Sequence, residues 1–181
     1  MRNIVNFNHK WAFAKGVNTV PAEICPEWNW VNLPHSWNAI DGQDGGNDLY
    51  RGTAYYAKTI EKIDLPEAEK YYVEVCGANS SASLYWNGKK LATHHGGYST
   101  RRVDVTDVME NSNLIVFEVD NAVNDYVYPQ NADFTFYGGL YRNVNLICVP
   151  ASHFDLEYHG GPGIAVTPVM DGGNAKVDVE V

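Results

Sequence analysis

The side chains of this chain that could take part in chemistry are few and widely spaced. His94 and His95 are neighbours in a segment with strand character, so their rings point to opposite faces and do not share a metal ion. Cys25, Cys76 and Cys148 have no partner at metal-ligand spacing and are too few for a disulfide scaffold, so they read as reduced thiols. No Gly-x-Ser-x-Gly elbow, phosphate loop or zinc spacing occurs, and His35 has no identifiable nucleophile to activate. Polar side chains gather instead in two stretches rich in Gly, Asn and Asp. Residues 39–52 carry Asn47, Asp48 and Arg51, and residues 120–139 carry Asp133 among several Tyr and Asn. Loops of such length are either functional or disordered, and their aromatic content argues for function. Carboxylates there can accept hydrogen bonds from a ligand or from their own backbone in Asx turns, and a guanidinium can donate to a ligand or to a local acid.

The frame that must hold these loops reads as β-structure with almost no helix. No window of eleven or more residues repeats apolar positions at i, i+3, i+4 and i+7 between caps. Short β-branched and aromatic segments alternate with Gly, Asn, Asp and Pro, which predicts strands over 52–60, 70–76, 81–86, 89–95, 100–105, 113–119 and 140–149. The sharpest local signal is Trp86-Asn87-Gly88-Lys89, because Asn-Gly supplies the two positive-φ residues of a type I′ hairpin. In 70–75 and 114–119 apolar residues fall on both parities, as in central strands covered on both faces. The first forty residues interleave Trp11, Phe13, Trp28, Trp30 and Trp37 with Pro21, Pro26 and Pro34. This predicts a segment that wraps across the sandwich on Trp anchors.

Composition narrows the class. The 181 residues include 22 acidic and 13 basic side chains, a formal charge of −9 that repels a phosphate backbone, so nucleic acid is not an expected partner. Hydrophobic residues make up 45% of the chain, ample for a core, yet no apolar run exceeds four residues, as at 114–117. Neither a membrane span nor a signal-peptide core is therefore expected, and the cytoplasm is the expected compartment unless a leader has been removed before export. Twelve Tyr and five Trp suit a sandwich core, and equally surfaces that stack on flat ligands such as sugar rings. A boundary falls near Pro150. Residues 154–181 read as three short strands with turns at 159–163 and 171–174, too little to bury a core alone, so they are expected to begin a second β domain.

Four motifs in order carry a family resemblance: Leu33-Pro34-His35-Ser36-Trp37-Asn38; Tyr50-Arg51-Gly52-Thr53-Ala54-Tyr55-Tyr56; Leu84-Tyr85-Trp86-Asn87-Gly88 with Gly96-Gly97-Tyr98; and Asp133 through Val144 with its Phe136-Tyr137-Gly138-Gly139-Leu140-Tyr141-Arg142 centre. The chain resembles the N-terminal sugar-binding domain of glycoside hydrolase family 2, which includes β-galactosidases, β-glucuronidases and β-mannosidases. The resemblance implies an all-β chain: a galactose-binding-domain-like jelly-roll β-sandwich over 1–153, then the first strands of an immunoglobulin-like β-sandwich over 154–181. In the family a (β/α)₈ barrel follows and holds the two catalytic carboxylates. Such a barrel takes ~250 residues, so it is expected to be missing here and the fragment to hydrolyse nothing alone.

The resemblance also assigns candidate substrate-binding residues. Asp133 matches a family Asp that reaches the mouth of the barrel and accepts from sugar hydroxyls. Arg51, with Asn47 and Asp48, lies near where some β-galactosidases use an Asn, and the substitution leaves it a choice between sugar hydroxyls and pairing with Asp133. Tyr137, Gly138 and Gly139 read as structural, Arg142 as an ion-pair partner, and His35 and Trp37 as anchors of the wrap. No catalytic residue, metal or cofactor is expected in this stretch. The leading expectation is a non-catalytic module of a retaining glycosidase, β-galactosidase first and β-glucuronidase or β-mannosidase next, whose partners are a terminal β-linked sugar and the missing barrel. A self-sufficient carbohydrate-binding module would instead need Tyr85, Trp86 and Tyr98 facing solvent. A pure spacer would bury Asp133. Aromatics around Tyr126, Tyr128, Phe134 and Phe136 should be exposed where the barrel normally sits, and a homo-oligomer through that face or the tail's open edge is left open.

Overall fold

Alternating burial along short strands builds two antiparallel sheets face to face. The computed structural model describes residues 1–39, 49–128 and 135–181. The strands are β1 (Asn3–Asn6), β2 (Trp11–Lys15), β3 (Asn29–Val31), β4 (Thr53–Glu61), β5 (Lys70–Val75), β6 (Ser81–Trp86), β7 (Lys89–His95), β8 (Arg101–Asp104), β9 (Ser112–Asp120), β10 (Val144–Val149), β11 (Ala165–Asp171) and β12 (Asn174–Glu180). One sheet runs β1-β10-β5-β8 and the other β3-β2-β4-β9-β6-β7, while β11 and β12 pair as a separate hairpin. Among the described residues the only helical pieces are 3₁₀ turns at Lys62–Asp64 and Thr106–Val108, and no helix is long and apolar enough to cross a membrane.

Odd positions of β9 (Ile115, Phe117, Val119) face Trp11, Tyr56, Leu84 and Trp86 in the core between the sheets. Val116, one residue out of phase, packs on the outer face of the same sheet with Ala12, Tyr55 and Ala57. That outer face is covered by Val17, Val20, Ile24 and Trp28, so the Pro-rich segment wraps as expected. Its Trp residues do not all anchor it: Trp11 and Trp37 are buried, but Trp30 is 63% exposed because it sits on β3, the edge strand opposite Ala12. The expectation that 70–75 is covered on both faces holds too. Tyr71 and Val73 join the main core, and Tyr72 packs outward against Ile147, Val149 and Leu156.

The Asn-Gly hairpin is present, with Asn87 at φ 50 and Gly88 at φ 78, the mirror-image turn whose twist matches its strands. Trp86 at its base is fully buried and donates from Nε1 to Asn113 Oδ1 at 2.9 Å. Residues 140–143 precede β10 rather than extending it. In the tail, two of the three expected strands form, and residues 154–158 form none. They run as irregular chain over the outer face of the four-stranded sheet, where Leu156 is 2% exposed. With no hydrogen-bonded neighbour strand there, backbone polar groups are met by turns and side chains, such as Glu157 N–H donating to Asp155 Oδ1 at 2.8 Å.

Candidate functional site

Strand register decides which loops meet. Thr53 pairs with Asp120, Ser81 pairs with Asp120, and Ser81 pairs with His95, so the ends of β4, β9, β6 and β7 coincide. Residues 49–52, 77–80, 96–98, 121–128 and 135–139 therefore converge at one end of the sandwich, although they are up to ninety positions apart in sequence.

Two buried amides hold that end together. The Asn121 side chain accepts from Gly52 N–H at 2.9 Å and donates to Asn38 Oδ1 at 3.1 Å, Phe136 O at 3.2 Å and Tyr50 O at 3.4 Å. Asn38 in turn donates to Tyr50 O at 2.9 Å and accepts from Gly138 N–H at 2.7 Å. Trp37 Nε1 adds a third donor to Tyr50 O at 3.2 Å. One network thus ties the Pro-His-Ser-Trp-Asn segment to both polar loops. Buried polar groups with every partner in place specify one arrangement, because any other leaves a donor or acceptor dry. A Cβ on Gly138 would overlap the Trp37 indole and the Asn121 amide, which is why this position is glycine.

The 135–142 stretch is sewn down on its other side. Asn79 and Gly139 exchange backbone bonds at 3.1 and 3.2 Å, and Asn79 Nδ2 donates to Tyr137 O at 2.8 Å. Tyr141 hydroxyl donates to Gly97 O at 2.5 Å. Arg142 was expected to make an ion pair. It donates instead to the carbonyls of Tyr98 at 2.9 Å and Cys76 at 3.4 Å, with its guanidinium over the Tyr141 ring, so its task is to satisfy main-chain acceptors at the loop base.

His35 is structural, as expected. Its Nδ1 lies 2.8 Å from the Tyr56 hydroxyl and its ring stands edge-on to Phe13. Burial first, and then the Lys15 charge, hold its pKa below the ordinary histidine value, so the ring is neutral near pH 7. His94 and His95 diverge as the strand pleat requires: His94 Nε2 meets Ser99 Oγ at 2.9 Å, while His95 bonds Ser81 and stacks on Tyr126 at 4.4 Å. Among the described residues no three His, Cys, Asp or Glu side chains come together to hold a metal.

Of the candidate substrate-binding residues, Arg51 is described, and Asn47, Asp48 and Asp133 lie outside the described residues. Arg51 is half-buried with its guanidinium 5.3 Å from the centre of the Phe136 ring, and it lines a crevice with Asn79, Tyr98, Tyr128 and Phe136. The crevice has about 10 Å³ of room, so the described residues offer a ligand one wall rather than an enclosing pocket. Tyr126, Tyr128 and Tyr98 are exposed at this end, at 74, 94 and 61%, as expected for the first two, whereas Phe136 is half-covered under Arg51. Phe134 is outside the described residues. A larger hollow of about 620 Å³ lies at the opposite end of β10, between Val149–Leu156 and Val181, and has apolar walls. The self-sufficient binding reading loses its central platform, since Trp86 is fully buried and Tyr85 is half-buried with its hydroxyl on Glu118.

Asn38 and Asn121 carry this end of the molecule, and a reading of the residues alone passes over Asn121. The available signal was its place immediately after a β-rich run, at the mouth of a long loop, where an amide is well suited to pair with turning backbone.

Comparison with known proteins agrees with this architecture. In the solved structures the chain is similar to an FMN-binding β-glucuronidase from Facaelibacterium prausnitzii L2-6, with 43% identity, a TM-score of 0.84, and coverage of 99% of this chain and 28% of that one. A β-glucuronidase of Bacteroides fragilis is 30% identical over 83% of this chain and 22% of its own length. A β-galactosidase of Thermoanaerobacter pseudethanolicus is 28% identical over 87% of this chain and 22% of its own length. The chain thus spans about a fifth of the length of the curated relatives it matches. The model of the glycosyl hydrolases family 2 sugar binding domain matches residues 39–150, which contain the two polar stretches, Asn121 and most of both sheets, and the chain belongs to that family.

Proposed function

We propose that this chain is the non-catalytic sugar-contacting module of a retaining family 2 glycosidase, and that it supplies one wall of an active site whose carboxylates sit on a (β/α)₈ barrel outside these residues. The observation that carries the reading is the loop end itself. Arg51, Phe136, Tyr98 and Tyr128 form a polar and aromatic surface that is rigidly backed by Asn38 and Asn121 yet too shallow to enclose a sugar. Amphipathic aromatics beside a guanidinium suit a ring with hydroxyls at its edge. Hydrolysis needs two carboxyl groups ~5–10 Å apart across the scissile bond, and this module's part is to orient the sugar toward them. The hairpin of β11 and β12 is then the opening of the next β domain.

For the substrate we favour a terminal β-glucuronide, because β-glucuronidases stand among the relatives at 30% identity and above. A β-galactoside is the second reading, supported by β-galactosidases at 28% identity and by a solved structure from Bacteroides fragilis, described as a putative β-galactosidase, at 31%. The test compares p-nitrophenyl β-glucuronide with p-nitrophenyl β-galactoside. The isolated chain is expected to hydrolyse neither and to show no saturable binding of either sugar at millimolar concentration by calorimetry. The complete protein is expected to prefer the glucuronide, with Arg51→Ala lowering kcat/KM. Tight sugar binding by the isolated chain, or Arg51→Ala without effect, would remove this reading. FMN belongs in the same titration, since one relative is described as FMN-binding.

A further inference from the structure

We propose that residues 151–163 are a fixed strap rather than a linker, and that Arg102, oriented by Glu74, is the residue that locks it and so sets the direction in which the chain leaves the sandwich. Arg102 and Glu74 face each other across β8 and β5 as register partners, and their side chains are only 8 and 10% exposed. Arg102 Nε donates to Glu74 Oε2 at 2.7 Å, while Nη1 turns away to donate to Leu156 O at 3.2 Å and Gly161 O at 2.6 Å. Glu74 is itself positioned by Asn145 Nδ2, which donates to its other oxygen at 3.0 Å. One side chain therefore gathers two carbonyls five residues apart in a segment with no strand pairing.

A buried ion pair is a weak source of net stability, because desolvation of both ions offsets most of their attraction. Its geometry is informative for that reason. Neutralising Glu74 needs only one edge of the guanidinium, and the remaining donors of a charge placed there for that purpose alone would face water. Here they read the main chain of the strap.

Independent contacts along the strap agree. Ala151 N–H donates to Glu69 Oε2 at 2.9 Å, and His153 lies against Tyr72 with Nε2 at 3.3 Å from its hydroxyl. Leu156 is buried with Tyr72, Ile147 and Val149. Gly160 at φ 69 passes so close to the Thr100 main chain that a Cβ there would collide, and within the strap Gly163 at φ 76 folds as closely onto the Asp155 main chain. A tether would not need a positive-φ glycine at its closest approach to the sandwich, whereas a docked segment does.

The strap carries its own reporters. Phe154 and Tyr158 are 55 and 52% exposed, so a chymotrypsin-like protease can see both, but cleavage requires several residues to lift off the sheet. Tyr126, followed by Val127 in the 121–128 loop and 74% exposed, serves as the internal reference. In the 181-residue chain, cleavage at Phe154 and Tyr158 is expected to be at least tenfold slower than at Tyr126. Replacing the pair together, Glu74→Leu with Arg102→Met, leaves no orphaned charge and should raise strap cleavage at least tenfold with the reference site unchanged. Arg102→Lys keeps a charge beside Glu74 but cannot reach both carbonyls, and should raise it by an intermediate factor. A wild-type strap cut as fast as the reference site overturns the proposal. So does unchanged strap cleavage in whichever of the two variants retains its β-sheet circular dichroism.

Discussion

Replacing Asn121 tests the amide network that backs the loop end. Asn121 is 2% exposed and joins four backbone or side-chain groups from three segments. Asn121→Ala removes the acceptor of the Gly52 N–H and the donor to Asn38 Oδ1 and the nearby carbonyls. Tyr50 O retains Trp37 and Asn38 as donors, and Asn38 Oδ1 retains Gly138 N–H. The loss is thus ~1–3 kcal/mol for the Gly52 N–H left without its acceptor and ~0.5–1.5 kcal/mol for the hydrogen bond to Phe136 O, about 3 kcal/mol together. That is a large share of the ~5–15 kcal/mol typical of a domain. Asn121→Asp discriminates further. It keeps an acceptor for Gly52 but turns a second, charged oxygen toward Asn38 Oδ1 and the Tyr50 and Phe136 carbonyls, so it should cost more than Ala. Urea unfolding followed by tryptophan fluorescence reads both. With a slope of ~2 kcal/mol per molar urea, Ala should lower the midpoint by ~1.5 M at unchanged slope. An Ala variant within ~0.5 kcal/mol of wild type, the range of inert surface changes, would refute the reasoning. So would an Asp variant more stable than the Ala one.

Two glycines should separate backbone strain from steric overlap in the same assay. Gly88→Ala meets nothing within 4 Å and suffers only its φ of +78, a cost of ~1–2 kcal/mol. Gly138→Ala must displace Trp37 and Asn121 and should cost ~3 kcal/mol or more, so equal losses would contradict the packing described. A pH prediction follows from the two histidines held below 6.5, His35 by burial and then Lys15, His94 by burial and then Arg101 and His95. Unfolding lets both bind protons at their ordinary value, so their contribution is full above pH 6.5 and is lost as the pH falls below it. His35→Gln keeps a hydrogen-bonding partner for Tyr56 and should flatten part of that fall, which urea midpoints between pH 8 and 5 would register. An unchanged pH slope would remove His35 from the account.

The sandwich was legible because its signals are local. The two-parity patterns of 70–75 and 114–119 and the Asn-Gly turn at 87–88 each concern residues that interact within a few positions or with one neighbouring strand. The misplaced details concern residues whose fate depends on distant partners. Trp30 looks like an anchor in sequence, but β3 lands at a sheet edge with nothing beyond it. Arg142 has the composition of an ion-pair partner, yet the chain brings two carbonyls within its reach. Residues 154–158 alternate like a strand, but the four-stranded sheet offers them its face rather than an edge. Asn121 and Arg102 drew no attention because a polar residue in isolation carries no mark of what it will bond.

By itself the sequence determined the all-β class, the hairpin and the loops that carry the candidate residues, since propensity, period and turn chemistry act over short spans. Only the tertiary structure decided that residues 38, 51, 121 and 136 meet at one end and that Glu74 and Arg102 grip the strap. Those meetings depend on register and sheet order, which are settled by burying both sheet faces at once, and no single stretch of the chain encodes them.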